Sequence, residues 1–567
     1  MNPMQAHLQL PFAVPKGAYD YGERSSGETH GVVLTKPQIV DLILDLAGYV
    51  EDRDLGSLSL LEPSVGHGAF LVPALKRLLA SCERHGRDPR TLTGAVLAFD
   101  IDPEHVELSR QAVERELDSA GLGATDRKRL CQAWVQEGDF LLAPIHRRFD
   151  VVVGNPPYVR IEQLAPELQA EYRHRYVSLF DRADLYVAFI ERSLDLLGPK
   201  GVLSFICADR WTLNRYGAPL REMIARDFHV HTYVDLHTAS PFESEVIAYP
   251  SIFAIGRDHS HKVQVGKLAT GSIDECADLL KLLESPRAKV RPGASVSTYE
   301  KWFEAAEPWV LSSPEHLEVL RDLERRFEPL EADGKTQVRI GVATGADKVF
   351  IVPGDADIES DRLVPLVMRE DIENGKVRDA HRCVINAFTD DGPVVDLAKY
   401  PKLARYLDTH AADIKKRHVA QKNPLGWFRT IDRVYPHLVP LPKLLIPDIA
   451  GSNEVVLEKG RFHPHHNLYF VTSETWDMKV LGGLLSSKVA LFFVWSYAVK
   501  MRGGYLRFQA QYLRRIRVPK PSSIPAGFAR HIADAFEARD FGALDALALR
   551  AYSLVALPDF DFVDTRR

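Results

Sequence analysis

From about residue 37 to residue 206, short apolar runs alternate with longer stretches whose apolar residues recur at helical spacing. Ile39, Val40, Leu42, Ile43 and Leu46 form the first helical face, with Thr35 able to cap it and Pro37 in its first turn. Runs at 58–61, 95–99, 134–135 and 151–153 read as strands. They end, in turn, at Glu62, at Asp100, at Glu137-Gly138-Asp139 and at Gly154-Asn155. Four strand–helix units in succession predict a doubly wound, mostly parallel Rossmann-like α/β sheet with polar residues at the strand ends. In such sheets that edge holds the ligand.

The pattern then continues with a helix from Asp184 through Leu197, a Gly198–Gly201 turn and a strand over 202–206. Strands at 231–236 and 247–255 flank Ser240-Pro241-Phe242, which makes Phe242 either a core plug or an exposed stacking face. Residues 257–300 read as a last strand pair followed by a linker. Ser313-Pro314-Glu315 starts a further helix, and 338–351 reads as a pair of strands around a glycine turn. The domain division expected is an arm over 1–30, an α/β domain over 31–300 and a second, α+β domain over 301–567.

At 567 residues the chain is too long for one core. Hydrophobic and charged contents of 46% and 26% are ordinary for a globular protein. A net charge of -6 excludes a generally basic coat but not a local basic face. Cys82, Cys131, Cys207, Cys276 and Cys383 lie far apart without a CxxC pair, as in a reducing cytoplasm. The first basic residue is Lys16 and prolines stand at 3, 11 and 15, so no secretory signal is read. The longest apolar stretch, 489–499, is too short for a bilayer and reads as a buried helix or strand. A cytoplasmic protein with no membrane partner is expected.

Candidate chemistry lies at the strand ends. Glu62-Pro63-Ser64-Val65-Gly66-His67-Gly68 places a glycine loop between strand and helix, where backbone N–H groups can face a nucleotide. The third glycine of the dinucleotide fingerprint is missing. Asp100 suits the two hydroxyls of a ribose, Asp139 an adenine amino group, and Phe140 the face of that ring. Asn155-Pro156-Pro157-Tyr158 offers an amide, rigid prolyl carbonyls and an aromatic face, suited to a planar ring with an exocyclic amino group.

This order of motifs, from Gly31 and Thr35 through Glu62–Gly68, Asp100–Pro103, Gly138–Phe140 and Asn155–Tyr158 to Pro241-Phe242, resembles the TaqI-like (gamma-class) adenine-N6 DNA methyltransferases of restriction systems. The resemblance covers roughly 28–256 well and the rest more loosely. It implies S-adenosylmethionine as cofactor, with Thr35, Glu62, Pro63, Ser64, Gly66 and Gly68 at its methionine part. Asp100 is implied at the ribose, Ile101 and Phe140 around the adenine, and Asp139 at its amino group. Lys36 departs from the family, which usually shows proline there. For the target, Asn155 Oδ1 and the Pro156 carbonyl would accept both hydrogens of an adenine amino group. Tyr158 and Phe242 would stack on the two faces of the flipped base. The reaction expected is methyl transfer to adenine N6 in double-stranded DNA, beside a cognate endonuclease or other defence subunits. Rivals are a protein methyltransferase acting on a glutamine amide, a non-catalytic DNA-binding subunit, and cytosine N4 as the target.

In the second domain, Lys500, Arg502, Arg507, Arg514, Arg515, Arg517 and Lys520 follow one another with no acid among them, interleaved with Tyr505, Phe508 and Tyr512. This reads as a phosphate-tracking face, to which Lys415, Lys416, Arg417, Lys422, Trp427, Arg429 and Arg433 add. The stretch over 338–351 resembles the opening of the family's target-recognition domain, which implies a DNA target-recognition domain over 301–567, and its Gly341 and Gly345 make no phosphate loop. Phe462–His466 has no cysteine or carboxylate at ligand spacing, so a polar turn and no metal are expected. Pro447-Asp448 and Glu458-Lys459 lack the spacing of a nuclease motif, and no restriction activity is expected from this chain.

Overall fold

Runs of valine and leucine with no polar face need cover on both sides. The computed structural model describes residues 33–244, 249–258, 262–450, 454–498 and 506–560, so the predicted arm lies outside the described residues. Strands β1 (Leu60–Glu62), β2 (Val96–Asp100), β3 (Val135–Glu137), β4 (Phe149–Gly154) and β5 (Leu197–Ala208) lie parallel in the order β3-β2-β1-β4-β5. The sheet continues as β5-β7-β6-β8-β9, with β6 (His229–Asp235), β7 (Pro250–Gly256), β8 (Val263–Leu268) and β9 (Ala294–Tyr299). β7 runs antiparallel to both neighbours, and β9 antiparallel to β8. The doubly wound, mostly parallel prediction holds. Strand order reverses between β1 and β4, which is where such sheets open a cleft.

Helices α1 (Pro37–Leu46), α2 (Leu71–His85), α3 (Pro103–Ser119), α4 (Ala124–Trp134), α5 (Pro166–Arg175) and α6 (Tyr186–Asp195) accompany these strands. One core joins Ile39 and Ile43 of α1, Leu71 and Leu75 of α2, and Val106 and Val113 of α3 to Leu60, Val96, Val151, Val153 and Ile206. α3 starts where Asp102 accepts from Glu104 N at 2.9 Å and Pro103 takes the first position. α1 starts at Pro37 behind Lys36, with no side-chain cap. Thr35 therefore does not cap this helix, and its hydroxyl is used elsewhere.

The chain forms two compact units, divided between Val310 and Leu311. Residues 301–310 belong to the first because Trp309 packs at 4.7 Å on Trp211, and Trp302 at 5.1 Å on Tyr233. The buried Arg221 also donates to the carbonyls of Ala306 and Glu307, each at 3.0 Å. The strand pair expected over 257–300 is β8 and β9, with a helix over Ile273–Glu284 between them. β9 ends at Tyr299, so the stretch read to 300 leaves no separate linker.

The second unit is α+β. Strands Thr336–Ile340, Leu468–Ser473, Lys443–Pro447 and Val456–Glu458 form one antiparallel sheet in that order. A second sheet orders Ile351–Pro353, Arg382–Ile385, Leu363–Val367 and His463–Pro464. The strand pair read over 338–351 is thus not a hairpin, because its two strands join different sheets. A helix over Pro314–Arg326 begins at Ser313, whose hydroxyl accepts from His316 N. The apolar run after 488 is the buried helix Lys488–Tyr497. Among the described residues no single helix is long and apolar enough to cross a membrane.

Candidate active site

β4 stops abruptly because Gly154 adopts φ +151°, closed to most side chains, and two prolines without N–H groups follow. The loops leaving β1 to β4 then meet around a cavity of about 110 Å³. Thr35, Glu62, Pro63, Ser64 and Gly66 line it. Asp100, Ile101, Asp139, Phe140, Asn155, Pro156, Pro157 and Tyr158 complete it. Gly68 is not part of the wall. Its φ of +84° serves the turn into α2, where a Cβ would rest on Val72 and Ser109.

On the glycine-loop side, Gly66 N donates to Asp100 Oδ2 at 2.8 Å, and Ser109 Oγ donates to Gly66 O at 2.8 Å. The loop is thereby tied to β2 and α3. Asp100 Oδ1 accepts from Asp102 N at 3.0 Å and stands 3.3 Å from His105 Nδ1. That contact raises the His105 imidazole above its usual value against the opposing effect of burial. Glu62 is wholly buried, and among the described residues neither carboxylate oxygen has a hydrogen-bond partner. Burial, reinforced by Asp100, pushes its carboxyl well above the usual range. Asp139 accepts from Leu141 N at 2.8 Å and from the Tyr172 hydroxyl at 2.6 Å. Phe140 lines the cavity with the Arg192 guanidinium 5.1 Å from its ring centre.

At the other corner, Asn155 Nδ2 donates to Val33 O at 3.0 Å and to Thr35 Oγ1 at 3.4 Å. The backbone carbonyl of Asn155 accepts from Ser64 Oγ at 3.2 Å. Asn155 Oδ1 is buried at the cavity and has no partner among the described residues. The amide is therefore held by its donor end with its acceptor end unused. The segment carrying Thr35 is itself fixed, because Lys36 N donates to Pro241 O at 2.9 Å and Glu243 N to Leu34 O at 3.0 Å. Thr35 and Phe242 pair across this bridge.

The bridge decides between the two readings of Phe242. The ring is 6% exposed, joins the core, and stands edge-on to Tyr158 at 6.3 Å and 85°. It is a plug behind Tyr158, not an exposed stacking face, and it does not line the cavity. Tyr158 lines the cavity, and burial raises its phenol well above the usual value.

Residues 96–242 match the family model of the Eco57I restriction-modification methylases. The type II methyltransferase M.PaeR7I of Pseudomonas aeruginosa is 45% identical over 531 residues, which cover 93% of this chain and 92% of that protein. The chain belongs to the type II restriction-modification methyltransferases. M.XhoI of Xanthomonas vasicola is 43% identical over 538 residues, covering 93% of this chain and 98% of the relative. The type IIL restriction-modification enzyme MmeI, solved in complex with DNA, shares the fold with a TM-score of 0.59 at 13% identity, over 93% of this chain and 75% of that one. Identity along nearly the whole length excludes the reading as a protein methyltransferase acting on a glutamine amide.

For a methyltransferase of this type, the basic stretch after 499 differs from its sequence reading. Lys500, Arg502 and Tyr505 lie outside the described residues. Arg507 pairs with Asp448 at 2.6 Å, Arg514 with Glu331 at 3.0 Å, and Lys520 with Glu328 at 3.3 Å. The Arg515 guanidinium lies over the Tyr497 ring at 4.4 Å, and Arg517 sits in a short strand paired with Glu328-Pro329. Phe508 and Tyr512 are core residues. The stretch is free of acids in sequence but not in space, so its described arginines are largely engaged within the unit. Arg417 likewise donates to the carbonyls of Thr344, Trp427 and Arg429. His105 and Tyr172 were missed by sequence reading. His105 could have been found as a histidine in the first turn after Asp100, whereas Tyr172 comes from α5 and leaves no local signal.

Proposed function

We propose that this methyltransferase transfers a methyl group from S-adenosylmethionine to the N6 amino group of an adenine flipped out of double-stranded DNA. The observation that carries the reading is Asn155, whose amide is anchored by its nitrogen while its oxygen is buried at the cavity without a partner. An unmatched acceptor at a strand end asks for a donor from a ligand. Asn155 Oδ1 and the Pro156 carbonyl would each accept one hydrogen of the amino group. This draws its lone pair out of the ring, so that a poor nucleophile becomes a usable one by positioning and electrostatics. Tyr158 would stack on the flipped base, with Phe242 holding the Tyr158 ring from behind.

The residues around the cavity fit the cofactor. The buried, unpartnered Glu62 carboxylate suits a cationic ammonium, Asp100 a pair of ribose hydroxyls, and Asp139 an adenine amino group. Ile101 and Phe140 would contact the adenine ring, while Thr35, Pro63, Ser64 and Gly66 would border the methionine part. Bound S-adenosylmethionine supplies a methyl group made electrophilic by its sulfonium. The setting would be a restriction-modification or phage-defence system with a separate endonuclease, in the cytoplasm.

The test is nucleoside mass spectrometry of DNA from cells expressing the chain or its Asn155→Ala variant. N6-methyladenine should appear with the wild type. The variant should lose at least about a hundredfold in turnover, as when a transition-state hydrogen bond is removed, and should retain cofactor binding. N4-methylcytosine instead would overturn the target assignment, and a fully active variant would overturn the role of Asn155.

A further inference from the structure

A cluster in the second unit is not among the residues that line the cavity. After strand Thr336–Ile340 the chain runs against the turn that carries His465 and His466. Val342 N donates to Pro464 O at 2.9 Å, and His466 N to Val342 O at 3.1 Å. A Cβ at Gly341 would stand 2.1 Å from His465 O, so only glycine permits this approach. The loop then reaches Thr344, whose hydroxyl donates to Asp347 Oδ1. Asp347 Oδ2 stands 3.2 Å from His465 Nε2, and the His465 and His466 ring centres are 4.1 Å apart. One ligating atom from each of Asp347, His465 and His466 lies within 4.8 Å of the other two. The carboxylate that no local spacing supplies is delivered by the fold.

His465 is 2% exposed. Among the described residues its Nδ1 has no hydrogen-bond partner, and Nε2 faces the Asp347 carboxylate at 3.2 Å. Buried polar atoms of this kind are nearly always satisfied. Two imidazoles and a carboxylate make a donor set suited to zinc and its first-row neighbours. The supporting contacts are also present, since the Thr344 hydroxyl orients the Asp347 carboxylate.

We propose that Asp347, His465 and His466 bind a divalent transition-metal ion of the zinc type. The ion joins the loop over 341–347 to the turn over 463–466, with a further coordination position open on the exposed His466 side. The rival arrangement is an Asp347–His465 ion pair beside a bystander His466.

The full chain, stripped with a chelator, is titrated with zinc chloride alone by calorimetry against a competing chelator. A parallel titration with cobalt chloride is followed by visible absorption. One equivalent of zinc should bind, and cobalt should give the intense visible bands of a low-coordinate site. His466→Ala and Asp347→Asn should each weaken binding by about tenfold or more, while His381→Ala, at an exposed histidine elsewhere in the unit, should leave it unchanged. Absence of stoichiometric binding, or wild-type affinity in both variants, overturns the site. His466→Gln, whose side chain is exposed and uncharged, gives the same reading should either variant lose its far-ultraviolet circular dichroism.

Discussion

Glu62 and Asn155 are opposite cases of the same physical situation, a polar group buried at a cavity wall. Asn155 is neutral and half satisfied, so it can wait for its ligand at modest cost. Glu62 carries both oxygens unpartnered, and its carboxyl is raised well above the usual range. A raised carboxyl is protonated in the folded chain where the unfolded chain has already lost its proton. Its contribution to stability is therefore fullest below the ordinary carboxylate value and is lost as pH rises through the folded one. Glu62→Gln keeps the shape without the charge. It should raise the thermal midpoint of the ligand-free protein above neutral pH and change it little in acid. The same variant should lower the calorimetric affinity for S-adenosylmethionine by about tenfold, since a hydrogen bond to a charged group is worth roughly 1.5–3 kcal/mol. Unchanged affinity would remove Glu62 from the cofactor site.

Among elements, the short bridge between residues 34–36 and 241–243 does more than its length suggests. It sets Thr35 beside Asn155 and presses Phe242 against Tyr158. Thr35→Val removes one acceptor of the Asn155 amide and leaves the Val33 carbonyl in place. Steady-state kinetics should show kcat lowered by roughly tenfold, as expected for a loosened positioning contact, with KM for the cofactor nearly unchanged. A rise in KM at constant kcat would instead make contact with the methionine part the main role of Thr35. In the second unit, strand Lys443–Pro447 is tied to Val456–Glu458 by a fully buried pair. Lys443 Nζ donates to Glu458 Oε2 at 2.7 Å and to Phe462 O at 3.1 Å. Lys443→Met leaves the Glu458 charge uncompensated and should cost roughly 3–5 kcal/mol in urea denaturation.

At the scale of the whole molecule, the net charge of -6 leaves DNA affinity to local surfaces. Arg514 already pairs with Glu331 and donates to Val338 O at 2.7 Å. Arg514→Ala should lower the thermal midpoint and leave the salt dependence of DNA binding unchanged. Arg502, which lies outside the described residues, is a phosphate candidate from its place in the acid-free stretch of the sequence. Arg502→Ala should reduce the slope of log affinity against log salt by about 1. Fluorescence anisotropy across a salt series distinguishes the two, and a changed slope for Arg514→Ala would restore it to the DNA face.

The sequence alone determined the parallel sheet, the glycine loop, the acids at strand ends and the Asn155–Tyr158 corner. Each is written locally: a strand's apolar run, its breaker and the polar residue after it are neighbours in the chain, so their order implies their place on the sheet edge. What tertiary structure decided depended on residues distant in sequence. Asp448, Glu331 and Glu328 come to the arginines of an acid-free stretch, Thr35 leaves a helix cap for Asn155, and Phe242 turns inward. Asp347 reaches a histidine pair that has no carboxylate at local spacing. Pairing and burial between distant segments follow from packing, and packing has no period along the chain from which it can be read.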